Sequence, residues 1–211
     1  MNNNKQVSKL HYSFSSYYTK SRWCSIWHQI NEVLRFEPKS VLEVGGGLGL
    51  FKNAMACFDV PVTIVDIADD LEPDIVASVT DLPLGDKAFD VACAFQVLEH
   101  LPFEMFIPAL KELGRVARKA IIISLPDAKP VYSSQLVVPF FGRKQLWLNR
   151  PFPGHRPLPV GGQHFWEINR VGYDKNKILR LIKDSGYVVQ SQFRVPENPY
   201  HCFFTLVMKT I

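Results

Sequence analysis

The chain has 211 residues, of which 47% are hydrophobic and 21% charged, values typical of one globular domain with a well-buried core. It contains no run of 18 apolar residues, and its polar first residues carry no apolar signal core, so we expect no membrane span. The net charge of +4 is uneven, because residues 41–125 carry 6 basic and 13 acidic side chains whereas residues 126–180 carry 9 and 3.

The first predicted element is a helix within an N-terminal segment, residues 12–36. A 4-3-4 spacing, which is typical of one face of an amphipathic helix, relates Trp23, Trp27, Ile30 and Leu34. We expect this face to pack on a sheet. Tyr17 and Tyr18 lie just before the helix, where they can close over a ligand.

Short apolar runs then alternate with helical patterns, and this alternation predicts an α/β fold with a parallel sheet flanked by helices. The predicted strands are residues 41–45, 62–66, 74–78, 89–94 and 119–125, and the helices between them are residues 48–57 and 104–117. A further helix at 174–185 precedes two strands, at 187–195 and 201–208. Their connection is too short for a crossover helix, so we expect these strands to be antiparallel.

Residues 126–170 differ from the rest of the chain because seven prolines alternate with aromatic residues there. Long irregular stretches in compact domains are commonly functional or disordered. This one is too aromatic for disorder. Two interpretations stay open at this point: a cap over a binding site, and a loop that only covers a sheet edge.

A glycine-rich turn follows the first predicted strand. Gly45, Gly47 and Gly49 allow positive φ and a close approach of a ligand to the main chain. The helix that follows offers free N–H groups to a carboxylate or a phosphate. The dinucleotide fingerprint G-x-G-x-x-G is absent, because its last glycine would fall on Leu50 or Lys52. The P-loop pattern is absent as well.

Two acidic residues flank this turn. Glu43 precedes Gly45 by two positions, where a carboxylate disfavours a pyrophosphate and suits a ligand that carries an ammonium group. Asp66 ends the second apolar run, about where a strand-end acid reaches ribose hydroxyls in doubly wound folds. The pair indicates a pocket for a nucleoside with a charged tail.

The chain at this point resembles the class I S-adenosylmethionine (SAM)-dependent methyltransferases, and most closely their type 11 methyltransferase domain. The resemblance rests on an ordered set of motifs: Glu43-Val44-Gly45-Gly46-Gly47-Leu48-Gly49, Val65-Asp66, Thr80-Asp81-Leu82-Pro83, the run 89–101 and Leu113-Gly114-Arg115-Val116. It implies one domain, residues 1–211, with a doubly wound, Rossmann-like sheet of seven strands, mostly parallel with an antiparallel last strand. It also implies that residues 126–170 form the cap over the acceptor.

The resemblance further implies how SAM is held. The amino acid tail and the ribose would lie against the turn formed by Gly45, Gly46, Gly47 and Gly49. Asp66 would accept hydrogen bonds from both ribose hydroxyls. Glu43 would accept hydrogen bonds from the turn amides or meet the ammonium group through a water, or it would only orient the turn.

Other residues would meet the adenine and the sulfonium. Ile67 would offer an apolar face to the adenine, and Asp81 with Leu82 would meet its edge, although Asp81 could instead cap a turn before Pro83. Phe95 and Gln96 follow the fourth strand, and ligands of open α/β sheets bind beyond the carboxyl ends of strands. We therefore expect both beside the methyl donor.

Two histidines are candidate catalytic residues. Methyl transfer needs mainly the alignment of donor and acceptor, and a base only if the acceptor is a hydroxyl or a protonated amine. His100 is either such a base or a brace for its loop. His164, inside the predicted cap, is a base, a ligand of the acceptor or a loop buttress.

The sequence thus predicts a SAM-dependent methyltransferase (EC 2.1.1.-) that methylates a small-molecule or glycan-like acceptor. The basic segment 126–180 can favour an anionic acceptor, unless it is only a solvated surface. The alternatives are a non-catalytic SAM-binding partner subunit and an RNA- or protein-directed methylase. The motifs of DNA base methylases are absent, so we expect no DNA partner. The four cysteines lack metal or redox spacing, and we expect no metal and a cytoplasmic location.

Overall fold

The computed structural model describes residues 12, 14, 17–140, 142–149 and 163–209. Its α-helices are α1 (Lys20–Leu34), α2 (Leu50–Ala56), α3 (Phe106–Val116) and α4 (Lys175–Asp184). Its strands are β1 (Val41–Val44), β2 (Val62–Asp66), β3 (Ile75–Val76), β4 (Phe89–Phe95), β5 (Ala117–Pro126), β6 (Val131–Val138), β7 (Gly142–Asn149), β8 (Tyr187–Val195) and β9 (Asn198–Met208). No helix in the described part of the chain is both long and apolar enough to cross a membrane.

Seven strands form the main sheet in the order β3-β2-β1-β4-β5-β9-β8. The first five in the chain are parallel to one another, and β9 is antiparallel to both of its neighbours, β5 and β8. The predicted Rossmann-like sheet with an antiparallel last strand is thereby confirmed. Because β9 runs against β5, its first residues lie at the carboxyl end of β5, where Pro126 pairs with His201.

The sheet divides the core into two apolar layers. Successive residues of a strand point to opposite faces, so Val41 and Val91 pack on one side, whereas Leu42 and Ala92 pack on the other. The first layer lies under α1 and α2, and the second under α3 and α4. Strands covered on both faces need continuous apolar runs, which explains why the sequence placed β1, β2, β4 and β5 correctly.

The predicted N-terminal helix exists, and Ile30 and Leu34 of its predicted face pack against the core. The other half of that face differs from the prediction. Trp23 and Trp27 are 44% and 60% exposed, while the buried side chains of α1 are Ser25, Gln29, Glu32 and Val33. The sheet satisfies this polar face, because the Glu32 carboxylate accepts hydrogen bonds from Thr205 at 2.9 Å and from Ser191 at 3.2 Å. Paired polar groups can be buried at little cost, and apolar periodicity alone does not detect them.

The sequence had suggested that the segment 126–170 is irregular, but part of it forms regular strands. Strands β6 and β7 pair into an antiparallel hairpin that forms a separate two-stranded sheet. Residues 150–162 lie outside the described residues. The chain then rejoins the main body at residues 163–168, where Ile168 donates a backbone hydrogen bond to Pro126 at 2.9 Å.

Gly114 fixes how closely α3 approaches β8. A Cβ at this position would lie 2.0 Å from the hydroxyl of Tyr187, which donates a hydrogen bond to the Leu110 carbonyl. Gly114→Ala should therefore destabilise the fold by about 1–3 kcal/mol, since the overpacking and the lost hydrogen bond outweigh the better helix propensity of alanine. Urea unfolding measures the change.

The matched control is Gly85→Ala, because no atom lies within 4 Å of a Cβ built there. This control should leave the urea midpoint unchanged. In the Gly114→Ala protein, the second substitution Tyr187→Phe removes the hydroxyl that the new Cβ would meet. The double variant should therefore recover part of the stability that Gly114→Ala loses. A Gly114→Ala protein as stable as the wild type would contradict the close packing of α3 on β8.

Candidate functional site

The turn after β1 is built for close approach. Gly45, Gly47 and Gly49 have φ values of 76°, 55° and 72°, in the left-handed region that favours glycine. A Cβ on Gly45 would lie 2.3 Å from the Val97 side chain. The Gly45 N–H donates to Val65 of β2 at 2.8 Å, which holds the turn against the second strand.

A cavity of about 620 Å³ lies between this turn and the carboxyl ends of β1, β2 and β4. Its volume falls in the range of about 300–1,000 Å³ that small-molecule sites occupy. Ten of the predicted site residues line it: Glu43, Gly45, Gly46, Gly47, Asp66, Ile67, Phe95, Gln96, His100 and His164. Tyr17 and Tyr18, which were predicted to close over a ligand, line it as well.

Two carboxyl groups lie at the glycine end of this cavity. Burial, with Asp66 nearby, raises the pKa of Glu43 to about 8, so that this group is mostly protonated at neutral pH. Its Oε2 atom has no hydrogen-bond partner among the described residues. Burial also raises the pKa of Asp66, whose Oδ1 accepts a hydrogen bond from the Ala68 N–H at 2.9 Å. Both groups would gain from a ligand that donates hydrogen bonds or carries positive charge.

The raised pKa of Glu43 predicts a pH-dependent cost in the ligand-free protein. Between about pH 4.5 and 8 the unfolded chain releases this proton while the folded protein keeps it, so the free energy of unfolding falls as pH rises. Glu43→Gln removes this term. The variant should gain roughly 2–4 kcal/mol relative to wild type between pH 5 and pH 8, measured by urea unfolding. An equal difference at both pH values would contradict the raised pKa.

Gln96 sits in a strained conformation at the end of β4. Its φ is 58°, which is uncommon for a residue other than glycine. Two hydrogen bonds to Ser124 hold it, one from its backbone N–H at 3.0 Å and one from its side-chain amide at 3.2 Å. Strain of this kind concentrates at functional sites. In this structure the two hydrogen bonds to Ser124 keep Gln96 in the cavity wall.

Three predicted site residues do not reach the cavity wall. Gly49 instead caps the start of α2. Asp81 is exposed, and Leu82 is buried in the core with its N–H bonded to Glu112 at 3.0 Å. The chain turns back between Ser78 and Asp81, so that Ser78 and Val79 line the cavity there.

The opposite end of the cavity contains Glu99, His100 and His164. Two segments that are far apart in the chain meet there and are joined by three hydrogen bonds. The Phe165 N–H donates to the Glu99 carbonyl at 2.8 Å, and the Trp166 indole donates to the Leu101 carbonyl at 3.1 Å. His100 Nδ1 lies 3.1 Å from the Gln163 carbonyl. These bonds fix His164 beside His100, with ring centroids 4.8 Å apart.

Glu167 orients His164. Burial alone would raise the pKa of Glu167, but hydrogen bonds from His164, Tyr200 and Arg170 outweigh it and hold the pKa at about 2. Glu167 is therefore ionised and accepts from His164 Nδ1 at 2.9 Å. The neutral tautomer of His164 consequently carries its lone pair on Nε2.

Sequence reasoning missed several residues of this end, among them Arg22, Tyr200 and His201. Arg22 lines the cavity, and its guanidinium lies 3.8 Å from the centre of the Tyr17 ring. Burial, and then the charge of Arg22, lowers the pKa of His201 to about 3, so this imidazole is neutral. The signal that could have found Tyr200 and His201 is the predicted reversal of the last strand, which brings its start to the carboxyl end of the sheet.

Comparisons with known proteins agree with this architecture. Residues 16–152, more than half of the chain, match the family model described as a methyltransferase domain. A search of the curated proteins finds no match.

Three solved structures are similar in fold. A magnesium protoporphyrin IX methyltransferase from Synechocystis PCC 6803, with bound S-adenosylhomocysteine (SAH), is 13% identical over 90% of this chain and 84% of its own, with a TM-score of 0.62. A 1,6-didemethyltoxoflavin-N1-methyltransferase from Burkholderia thailandensis, with SAH and 1,6-didemethyltoxoflavin, is 16% identical over 88% and 79%, with a TM-score of 0.57. The glycopeptide N-methyltransferase MtfA, with SAH, is 12% identical over 86% and 89%, with a TM-score of 0.58.

Proposed function

The chain belongs to the methyltransferase-domain family, with SAM as its cofactor, and from that premise we propose that it methylates a small-molecule or glycan-like acceptor. One observation carries the proposal. A single cavity joins the glycine turn with its two carboxyl groups to a second polar end that contains Glu99, His100 and His164. Donor and acceptor can therefore meet inside one chamber, which is what alignment of the two requires.

The glycine end fits SAM. The turn at residues 45–47 would lie against the amino acid tail, and Asp66 would accept from the two ribose hydroxyls. Glu43, whose buried Oε2 has no partner in the described part of the chain, would meet the ammonium group. Ile67 would face the adenine, with Ser78 and Val79 at its edge in place of Asp81 and Leu82. SAM would supply a methyl group on a positively charged sulfur, and Gln96 and Phe95, which line the cavity, would lie beside it.

The histidine end would receive the acceptor. His164 has the better-defined orientation of the two rings, because the ionised Glu167 holds its Nδ1–H and leaves the Nε2 lone pair to meet an acceptor hydroxyl or amine. His100 stands beside it, held by the Gln163 carbonyl. Both histidines line the cavity, so that either could act as a base or as a ligand of the acceptor.

An acceptor that carries negative charge is the class we favour. Arg22 brings a guanidinium to the acceptor end, whereas His201 is neutral there. The structural neighbours support a small acceptor, since two of them are named as methyltransferases of 1,6-didemethyltoxoflavin and of magnesium protoporphyrin IX. A cytoplasmic location is supported by the four free cysteines.

Turnover separates this proposal from a binding subunit without activity. The purified chain and SAM would be incubated with a library of small carboxylates, phosphates and oligosaccharides, and SAH release would be measured. Release that depends on one class of small acceptor supports the proposal. SAH binding without release on any member would favour the partner-subunit alternative, and release only with RNA or protein would favour the third.

A further inference from the structure

Glu99 is the most unusual polar group of the acceptor end. It is 0% exposed, and neither carboxylate oxygen has a hydrogen-bond partner among the described residues. A buried polar atom left unpaired costs about 1–3 kcal/mol. Glu99 is also one of the residues that line the cavity. Such a buried carboxyl group would gain from an ion, a ligand or a water that supplies the partner it lacks among the described residues.

Two imidazoles stand next to this carboxylate. One ligand atom each from Glu99, His100 and His164 lies within 4.8 Å of the others, and this group is the one such cluster that the described residues contain. Ligands of a tetrahedral zinc ion at about 2.0–2.1 Å from the metal lie somewhat closer together than this, so binding of an ion would require the three side chains to move toward one another.

The outer contacts of the two histidines are those of metal-binding imidazoles. His100 Nδ1 lies against the Gln163 backbone carbonyl and His164 Nδ1 against a carboxyl oxygen of Glu167, so each Nδ1 is placed to donate and each Nε2 to accept. Metal-ligating histidines almost always donate their other N–H in this way. The tautomers are thus set before any ion arrives.

We propose that Glu99, His100 and His164 bind one divalent transition-metal ion at the acceptor end of the cavity. Two nitrogens and one carboxylate suit Zn²⁺, Mn²⁺, Fe²⁺ or Co²⁺ and disfavour Mg²⁺ and Ca²⁺, which prefer oxygen ligands only. Three protein ligands leave positions open, and these would orient an acceptor that offers oxygen atoms. The role toward the acceptor rests on the proposed function, whereas binding of the ion does not.

Sequence spacing alone does not indicate this site, because its ligands come from two segments separated by α3, β5, β6 and β7. The expectation of no metal was based on cysteine spacing, which says nothing about a Glu-His pair and a distant histidine. In the structure, hydrogen bonds between residues 99–101 and 163–166 help to bring the ligands together.

The test is titration of chelator-treated full-length protein with Co²⁺ and Zn²⁺, followed by visible absorbance and by calorimetry. Wild type should bind one ion per chain. Glu99→Gln and His164→Gln should each lose about 100-fold or more in affinity, and Glu167→Gln, which touches only the outer contact of His164, about 10–100-fold. His28→Gln is the matched control, since His28 lies on α1 and pairs with Glu197.

SAH binding is measured on every variant, and retention of it shows that the fold and the donor site are intact. The proposal is overturned if wild type binds no ion at millimolar concentration, or if all variants bind as wild type does. A protein that binds the ion but never turns over would refute the proposed function and leave the ion site standing. Turnover that chelator abolishes and Zn²⁺ or Mn²⁺ restores would link the two.

Discussion

Replacing Asp66 by alanine is expected to weaken SAH and SAM binding by about 100-fold or more, because two charge-assisted hydrogen bonds to the ribose, each worth roughly 1.5–3 kcal/mol, would be lost. Asp66 ends β2 at the cavity wall, and its Oδ1 is already aligned by the Ala68 N–H. The fold should survive the change, since this side chain is only partly buried. Isothermal titration gives the affinity directly.

Asp69→Ala is the matched control for this prediction. It removes the same charge three residues later, from an exposed position that does not line the cavity. Its affinity for SAH should equal that of wild type. If Asp66→Ala also binds as wild type does, Asp66 does not hold the ribose, and the orientation of SAM in the cavity must be different.

Replacing His164 by glutamine is expected to lower turnover by about 10²–10⁴-fold on the acceptor that the screen identifies. The substitution removes the ring nitrogen, so turnover should fall whether His164 takes the acceptor's proton itself or holds an ion that orients the acceptor. SAH affinity should not change, because His164 lies at the opposite end of the cavity from Asp66. Steady-state kinetics with saturating SAM measure the effect.

His28→Gln again provides the comparison, because it makes the same chemical change at a residue of α1 that does not line the cavity. Its turnover should stay near that of wild type. A His164→Gln enzyme with wild-type turnover would mean that His164 only supports the loop at 163–166. In that case His100, its neighbour, would be the next residue to replace.

Most of the sheet could be read from the sequence because its central strands are buried on both faces. Continuous apolar runs such as the one at 120–123 have few interpretations other than a buried strand, and β5 covers this run in the structure. The helix α3 tolerates a proline for a different reason: Pro108 lies in its first turn, where a missing N–H removes no intrahelical hydrogen bond. The N-terminal helix was harder, since its buried face is polar and depends on Thr205 and Ser191 of distant strands.

The donor end of the site was more predictable than the acceptor end for a physical reason. Glu43, the glycine turn and Asp66 belong to one strand–turn–helix–strand unit, so local spacing places them together. Asp81 and Leu82 were expected at the adenine, but their position depends on a turn and on contacts with α3 that spacing does not encode.

The acceptor end is assembled from distant parts of the chain. Three segments of the chain contribute His164, Tyr200 and Glu99, and tertiary contacts bring them together. The Tyr200 hydroxyl donates to Glu167 at 2.7 Å, Glu167 accepts from His164 at 2.9 Å, and the Phe165 N–H donates to the Glu99 carbonyl at 2.8 Å. A histidine in a proline-rich stretch carries no signal of such partners. Its role could be suggested from the sequence but not distinguished from a buttress.

A crystal structure of the chain with SAH tests the central claim most directly. We expect electron density for the nucleoside in the cavity, with both ribose oxygens within hydrogen-bond distance of Asp66 and the amino acid tail against residues 45–47. Density at another place on the molecule, or an empty cavity in crystals grown with millimolar SAH, would contradict the site described here.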